Sequence, residues 1–280
     1  MVKKRLIKYG VLVVAVVIAF VGIFAISRTA FSRKIVKLIR ERDYVHLEKM
    51  CEAHPGSIDH VPWIHQFFGA LAEKPEILTP LQEACLRNDM MAVEILVEHG
   101  ADPNVNSHFA SEYPLSYAVS KGNLPMTKLL VDHGADIALC REKLCYNLAV
   151  YARNEHANMC IEEYIEMVEL LEQNGMDFLE GDSSSSCNIF LNTALLNDLE
   201  AASYWLDCKN VLVDQTDSKG RNALHLAVLT GHIRPKLQFV QFLVDRGIDP
   251  CAMDYDGKTA YDHAVERGCT EIAEYLKERM

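Results

Sequence analysis

Basic residues are scarce over most of this chain. Residues 43–280 hold 18 Lys/Arg against 38 Asp/Glu, a formal charge of −20, while residues 1–42 hold ten bases and one acid, Glu41, for +9. A body this acidic repels phosphate backbones and anionic lipid, which argues against nucleic-acid binding and favours a basic partner. Catalytic signatures are missing as well. No Gly-x-Ser-x-Gly, phosphate loop or His-Glu-x-x-His occurs. Metal signatures are thin. His156 and Cys160 are spaced i, i+4 near Glu163, but no second Cys/His pair with zinc spacing lies nearby. Asp254-Tyr255-Asp256-Gly257 begins like a calcium loop, yet His263 stands where the closing Glu is required, so the run reads as a hairpin turn. These absences predict a protein that is not an enzyme and holds no cofactor and no metal. Low complexity is confined to Gly181-Asp182-Ser183-Ser184-Ser185-Ser186, which reads as a long loop. Apolar residues are not lacking. They make up 50% of 280 residues, with 24% charged, which excludes a largely disordered chain and leaves room for one large or two modest domains.

The nine cysteines show no paired spacing, and the odd total favours thiols. Cys140 and Cys145 flank a hairpin tip and would close a loop in an oxidising compartment. Cys85 and Cys269 read as small apolar groups inside helices.

One long uncharged run stands out, Tyr9–Ser27, preceded by Lys3, Lys4, Arg5 and Lys8. About 20 apolar residues cross a hydrocarbon core, and residues 6–27 reach that length. The run is long for a cleaved signal, although Ala25-Ile26-Ser27 resembles a small-x-small cleavage site. The expectation is an N-terminal membrane anchor over 1–30, with a basic head. Bases flank the run on both sides, so the positive-inside rule gives nearly a tie. The large acidic body points to a single-pass protein of a bacterial inner membrane with its body in the periplasm.

The body repeats itself. Thr79-Pro80-Leu81-Gln82-Glu83-Ala84 recurs as Tyr113-Pro114-Leu115-Ser116-Tyr117-Ala118, as Asn222-Ala223-Leu224-His225-Leu226-Ala227 and as Thr259-Ala260-Tyr261-Asp262-His263-Ala264. A second element follows the same spacing: Ile95–Asp102, Leu129–Asp136, Leu170–Asp177 and Phe242–Asp249, each with a Gly two residues before its end. Pro80 suits the first turn of a helix, where a missing N–H costs nothing. Gly122, Gly231 and Gly268 end the short helix, and Gly100, Gly134, Gly175 and Gly247 end the longer one. Val93, Leu96 and Val97 keep helical spacing. One helix pair has too little core alone, so stacking must supply it.

These residues resemble the ankyrin repeat, with its period of about 33 residues. The resemblance covers about residues 41–280. It implies an all-α ankyrin-repeat solenoid of helix pairs with hairpin loops, about six units, here joined to one N-terminal transmembrane helix. Residues 31–78 read as an N-terminal cap with a degenerate first unit, and 79–280 as the array with a C-terminal cap at Thr259–Met280. An insertion lies around Asn154–Tyr164, and a smaller one holds Pro235. His99, His133 and His225 take structural positions of the motif.

The resemblance also implies where a partner docks: on the hairpin tips and the exposed face of the short helices. In this chain the candidate partner-binding residues are Phe109, Glu112, Tyr113, Tyr117, Lys121, Arg141, Glu142, Tyr151, Arg153, Asp182, Asp217, Arg221, Tyr255 and Asp256. Tyr and Arg are common binding anchors, and the carboxylates suit a basic protein surface. Two plainer readings stand beside this one: tip aromatics packed on the adjacent finger, and a merely solvated acidic surface. The expected function is protein binding by a body that is monomeric when unbound. The sharper form is an immunity protein that neutralises a secreted antibacterial toxin, such as a type VI phospholipase. The alternative is a scaffold for a membrane or periplasmic complex. A remote third is an enzyme using the Ser/Cys-rich loop at 181–187.

Overall fold

Helix starts are set by short polar caps in the computed structural model, which describes residues 30–54, 58, 78–106, 112–151, 159–178, 189–230 and 234–280. Thr79 opens the first regular pair. Its hydroxyl accepts the Gln82 N–H at 3.0 Å, and Gln82 Oε1 accepts the Thr79 N–H at 2.8 Å. This reciprocal box satisfies two donors that a helix start leaves exposed. Helix α3 (Pro80–Leu86) then runs to a left-handed turn at Asn88, φ 57°. Asp89 caps α4 (Met90–Glu98) by accepting the Ala92 N–H. The same short helix, left-handed turn and capped longer helix recurs along the chain.

The chain divides into two compact units, Met1–Tyr117 with Leu129–Asp136, and Ala118–Lys128 with Ile137–Met280. In the first, α1 (residues 30–41) buries Ser32, Ile35, Leu38 and Ile39. Helix α2 (Tyr44–Ala53) buries Leu47 and Cys51, and both α2 and α3 pack on α4. Arg40 makes a two-pronged contact with Glu83, 2.7 and 3.2 Å, and Arg87 reaches the same carboxylate at 3.2 Å. The Glu83 side chain is only 7% exposed, so these two guanidinium groups are what make its burial tolerable. Tyr44 donates its hydroxyl to Asp89, which is also the α4 cap. Further along, Asn104 bridges two successive outer-helix ends: its amide donates to Gly134 O at 2.8 Å, and its Oδ1 accepts the Asp136 N–H at 2.7 Å. Helices α5 (Pro114–Ser120) and α6 (Leu124–Asp132) contribute residues to both units.

The second unit has two rows of helices. The inner row is α7 (Arg141–Tyr146) with a π-helical turn at Asn147–Tyr151, then α9 (Ile189–Leu196), α11 (Ala223–Val228) and α13 (Ala260–Glu266), each packed on the next. The outer row is α8 (Ile161–Gln173), α10 (Leu199–Asp207), α12 (Leu237–Asp245) and α14 (Thr270–Lys277). Short side chains such as Ala194, Ala227 and Ala264, all fully buried, let the inner helices approach closely. Trp205 and Tyr164, the two largest fully buried side chains among the described residues, join α8 to α10. Trp205 donates to the Tyr164 hydroxyl at 2.8 Å, and Phe178 and Tyr204 lie edge-on to Trp205. Outer-helix ends are cross-linked by charge: Glu172 with Lys209, and Asp207 with Arg246 through two prongs of 2.6 and 3.0 Å.

Left-handed closing turns follow the expected glycines. Gly100, Gly134, Gly175 and Gly247 have φ between 85° and 95°. Helix α10 has no closing Gly and ends instead at Asn210, with φ 54°. Asn tolerates this region better than other residues that carry a Cβ. Gly231 lies outside the described residues. Cys140 and Cys145 are buried thiols and not a disulfide. The turn at 254–257 is a hairpin, closed by an antiparallel bridge between Met253 and Thr259.

Two expectations are corrected. The sequence predicted one N-terminal transmembrane helix and an inner-membrane, single-pass location with a periplasmic body. Among the described residues no helix is long and apolar enough to cross a membrane. Helix α8 has 13 residues, about 20 Å at 1.5 Å per residue against a core of about 30 Å, and it carries five Glu. The anchor expected over 1–30 falls on Tyr9–Ser27, which lies outside the described residues. What the described chain supports is an all-helical fold: two isolated β-bridges and no strand accompany its helices.

Candidate binding surface

Two hairpin fingers carry four of the fourteen candidate residues, and their chemistry is set by how each finger is tied. In the finger that follows α10, Asp217 organises the tip. Its Oδ1 accepts the Lys219 and Arg221 N–H groups, both at 2.9 Å, and its Oδ2 receives the Arg221 guanidinium at 2.8 Å. Burial pushes the Asp217 carboxyl up, but the Arg221 contacts outweigh it and hold the group below the usual carboxylate range. Asp217 and Arg221 are therefore partners of each other before they meet anything outside.

The next finger, 249–259, repeats this with a different base. Asp254 Oδ1 accepts the Asp256 and Lys258 N–H groups, and Oδ2 lies 2.7 Å from His263 Nε2. Burial opposes ionisation here too. The His263 hydrogen bond and the two backbone donors win, and the Asp254 pKa falls to about 2. Lys258 turns its ammonium to Glu266, at 2.6 and 2.8 Å.

The two fingers are fastened side by side. Tyr255 N–H donates to Lys219 O at 2.9 Å. The Tyr255 ring lies over Gly220, where an added Cβ would come within 2.6 Å of ring carbon Cδ1. Tyr255 thus packs on the adjacent finger and is still 78% exposed. Its neighbour Met253 is 67% exposed, and Asp256 is exposed.

The other candidates are spread out. Glu112 and Tyr113 are half-buried, and the Glu112 carbonyl accepts the Gln82 side-chain amide at 2.6 Å. Tyr117 and Lys121 are also half-buried. Arg141 donates to Asp177 O at 3.0 Å, and Glu142 is exposed. Tyr151 ends the π-turn, with its side chain outside the described set. Phe109, Arg153 and Asp182 lie outside the described residues. Asp217, Arg221, Tyr255 and Asp256 are the candidates that the structure brings together on adjoining fingers.

Sequence reasoning missed the pairing of Asp254 with His263. A nine-residue spacing from finger to helix gives no local signal. It also missed that Cys160, weighed as a metal ligand, caps α8 together with Glu163 in a reciprocal box. Its other proposed partner, His156, lies outside the described residues.

A family model described as ankyrin repeats in three copies matches residues 50–141, 81–182 and 158–280. The chain belongs to the ankyrin-repeat family. Its ankyrin repeats are protein-binding modules in kind. Among curated proteins, alpha-latrotoxin-Lg1a of Latrodectus geometricus is 31% identical over 115 residues. That match spans 40% of this chain and 8% of the toxin. Among solved structures, a chain from the complex of Bd0816, a predatory endopeptidase of Bdellovibrio bacteriovorus, with immunity protein Bd3460 superposes with a TM-score of 0.52. It is 22% identical, and the match covers 74% of this chain and all of the other. At that identity the likeness shows a shared fold.

Proposed function

We propose that this ankyrin-repeat chain is a protein-binding module without catalysis of its own, acting as an immunity protein that neutralises a secreted antibacterial toxin. A phospholipase delivered by a contact-dependent route such as type VI secretion is the toxin class that fits the sequence reading. The observation that carries binding is Tyr255, a large ring 78% exposed yet fixed by its backbone bond to Lys219 and by contact with Gly220. A ring held in place loses little entropy when a partner covers it. The immunity reading is supported by the solved relative, whose complex contains an immunity protein.

The partner's surface is basic in this reading. The support is the −20 charge of residues 43–280 and the exposed carboxylates Glu142 and Asp256. Asp217 and Asp254 contribute little, because their carboxylates are already engaged by Arg221 and His263.

The test is capture of partners by the tagged full-length chain from its native host, followed by an inhibition assay. One stoichiometric partner with a toxin enzyme domain, inhibited at a one-to-one ratio, supports immunity. Several partners at low yield, none of them inhibited, favour the scaffold reading. Tyr255→Ala is expected to weaken the captured complex by about 2 kcal/mol or more, roughly 30-fold. An unchanged affinity removes Tyr255 from the interface.

A further inference from the structure

The two fingers around Asp217 and Asp254 are built alike, bond for bond. Asp217 Oδ1 receives the N–H groups of Lys219 and Arg221, and Asp254 Oδ1 receives those of Asp256 and Lys258. The Asp217 N–H donates to Arg221 O and the Asp254 N–H to Lys258 O, both at 2.9 Å. Gly220 and Gly257 each donate to the Asp carbonyl three residues earlier at 3.0 Å, and both have φ +73°. The backbones match, so a difference between the fingers is a difference in what lies against them.

One such difference is plain. On the first finger the next repeat fills a socket with a single residue, Tyr255. Its N–H donates to Lys219 O at 2.9 Å, and its ring lies on Gly220, which is buried. The same socket on the last finger consists of Asp256 O and Gly257. No described residue donates to Asp256 O. Gly257 is exposed, and nothing lies within 4 Å of a Cβ built on it. The helix that follows this finger is open as well. Val265 of α13 is 53% exposed, whereas the matching residues of α9 and α11, Ala194 and Val228, are fully buried. Tyr261 is half-buried where Phe190 and Leu224 are fully buried. The outer half of this end is closed instead with charge. Glu274 and Lys277 of α14 are exposed at the places where Gln241 and Val244 of α12 are half-buried.

We infer that Asp256 O, Gly257 and the Tyr261–Val265 face of α13 form a docking socket for an aromatic residue of a partner protein. The aromatic is held as Tyr255 is held on the preceding finger, with its N–H on Asp256 O and its ring on Gly257. The socket rests on the protein-binding reading of the chain. Its occupant is a loop and not a further helix pair, because Glu274 and Lys277 deny an outer helix an apolar seat. It is a foreign chain and not a second copy related by a two-fold axis. Such a pairing would set Asp256 against Asp256 and carbonyl acceptor against carbonyl acceptor. Beside the aromatic the partner carries Lys or Arg, which answers the exposed Asp256 carboxylate. Glycine is what leaves room for the ring: at Gly220 an added Cβ would come within 2.6 Å of Tyr255.

The probe is the segment that already fills the first socket. A peptide of residues 252–260, cyclised through its ends, is titrated into the full-length chain and followed by NMR at the Gly257 amide and the Val265 methyls. Saturable shifts at both are expected, with a Kd of about 1 mM. Tyr255→Ala in the peptide is expected to weaken binding about tenfold or more. Asp256→Lys in the peptide is expected to tighten it several-fold at ~50 mM salt. Gly257→Asn in the chain tolerates the left-handed turn and puts a side chain on the shelf, so the Val265 shifts are expected to vanish. No saturable shift with the unaltered peptide overturns the socket, and so does equal binding by its Tyr255→Ala form. These two results need no variant of the chain, so they hold whether or not Gly257→Asn folds. Shifts of the same resonances on concentrating the chain alone would put a second copy in the socket and overturn its assignment to a foreign partner. The socket and the immunity reading fail separately. A captured and inhibited partner without a peptide shift removes the socket alone, and peptide binding without a captured partner removes the immunity reading alone.

Discussion

Gly220 has φ +73° and lies against the Tyr255 ring, while Gly257 has the same φ with nothing within 4 Å of its would-be Cβ. The pair separates two costs that usually travel together. Gly257→Ala meets only the left-handed backbone penalty, about 1–2 kcal/mol. Gly220→Ala meets that penalty and must also displace a ring from 2.6 Å, so it is expected to cost a further 1–3 kcal/mol or so. Urea denaturation of both variants checks this, and equal losses would show that the ring yields freely. Asp254 gives a second residue-scale expectation. Its pKa is about 2 when folded, against about 3.9 for an unfolded Asp. A depressed carboxylate adds stability above the unfolded value and loses it as pH falls toward the folded one. Asp254→Asn is therefore expected to be less stable by about 1–3 kcal/mol at pH 7. The gap to wild type should shrink as pH drops from about 4 toward 2, read from urea midpoints at each pH. A gap independent of pH would mean that shape and not charge holds the hairpin.

At the scale of elements, caps decide where each helix begins. The helices α3, α4, α10, α11 and α13 each start on a Thr, Asp or Asn whose side chain accepts a backbone N–H. These helices have six to nine residues, too short to be stable alone. Thr79→Ala removes one bond of the box and is expected to cost about 1 kcal/mol by thermal or urea unfolding. Asp198→Ala removes the α10 cap with a similar loss. Much of this was legible from the sequence, because caps, Pro80 and the closing glycines act within four residues. The π-turn at 147–151 was not. It follows the inner helix α7 and packs on both α7 and α9, and nothing in Asn147–Tyr151 announces a widened turn.

At the scale of the whole molecule, the charge of −20 on residues 43–280 is expected to steer association with a basic partner. Exposed charges are screened beyond about 8–10 Å at physiological salt. Association with a basic partner is expected to slow several-fold between about 50 and 300 mM salt, with a smaller change in dissociation. Surface plasmon resonance at the two salt concentrations measures both rates. A salt-independent association rate would remove the basic-partner reading and leave protein binding through Tyr255 and its neighbours untouched.

The sequence by itself determined the repeat, the helix pairs and their turns. Each rests on local rules: a cap acts over three residues, a closing glycine over one, a helix face over seven. The tertiary structure decided which polar groups are free to meet a partner. Asp217 and Asp256 look alike in sequence, yet Arg221 folds back on the first while the second stays exposed. Asp254 looked like a tip carboxylate and is instead held by His263 from the following helix. Tyr255 looked like one of several aromatics and is the one set on Gly220 of the preceding finger. These distinctions depend on contacts between residues far apart along the chain, and only folding brings such residues together.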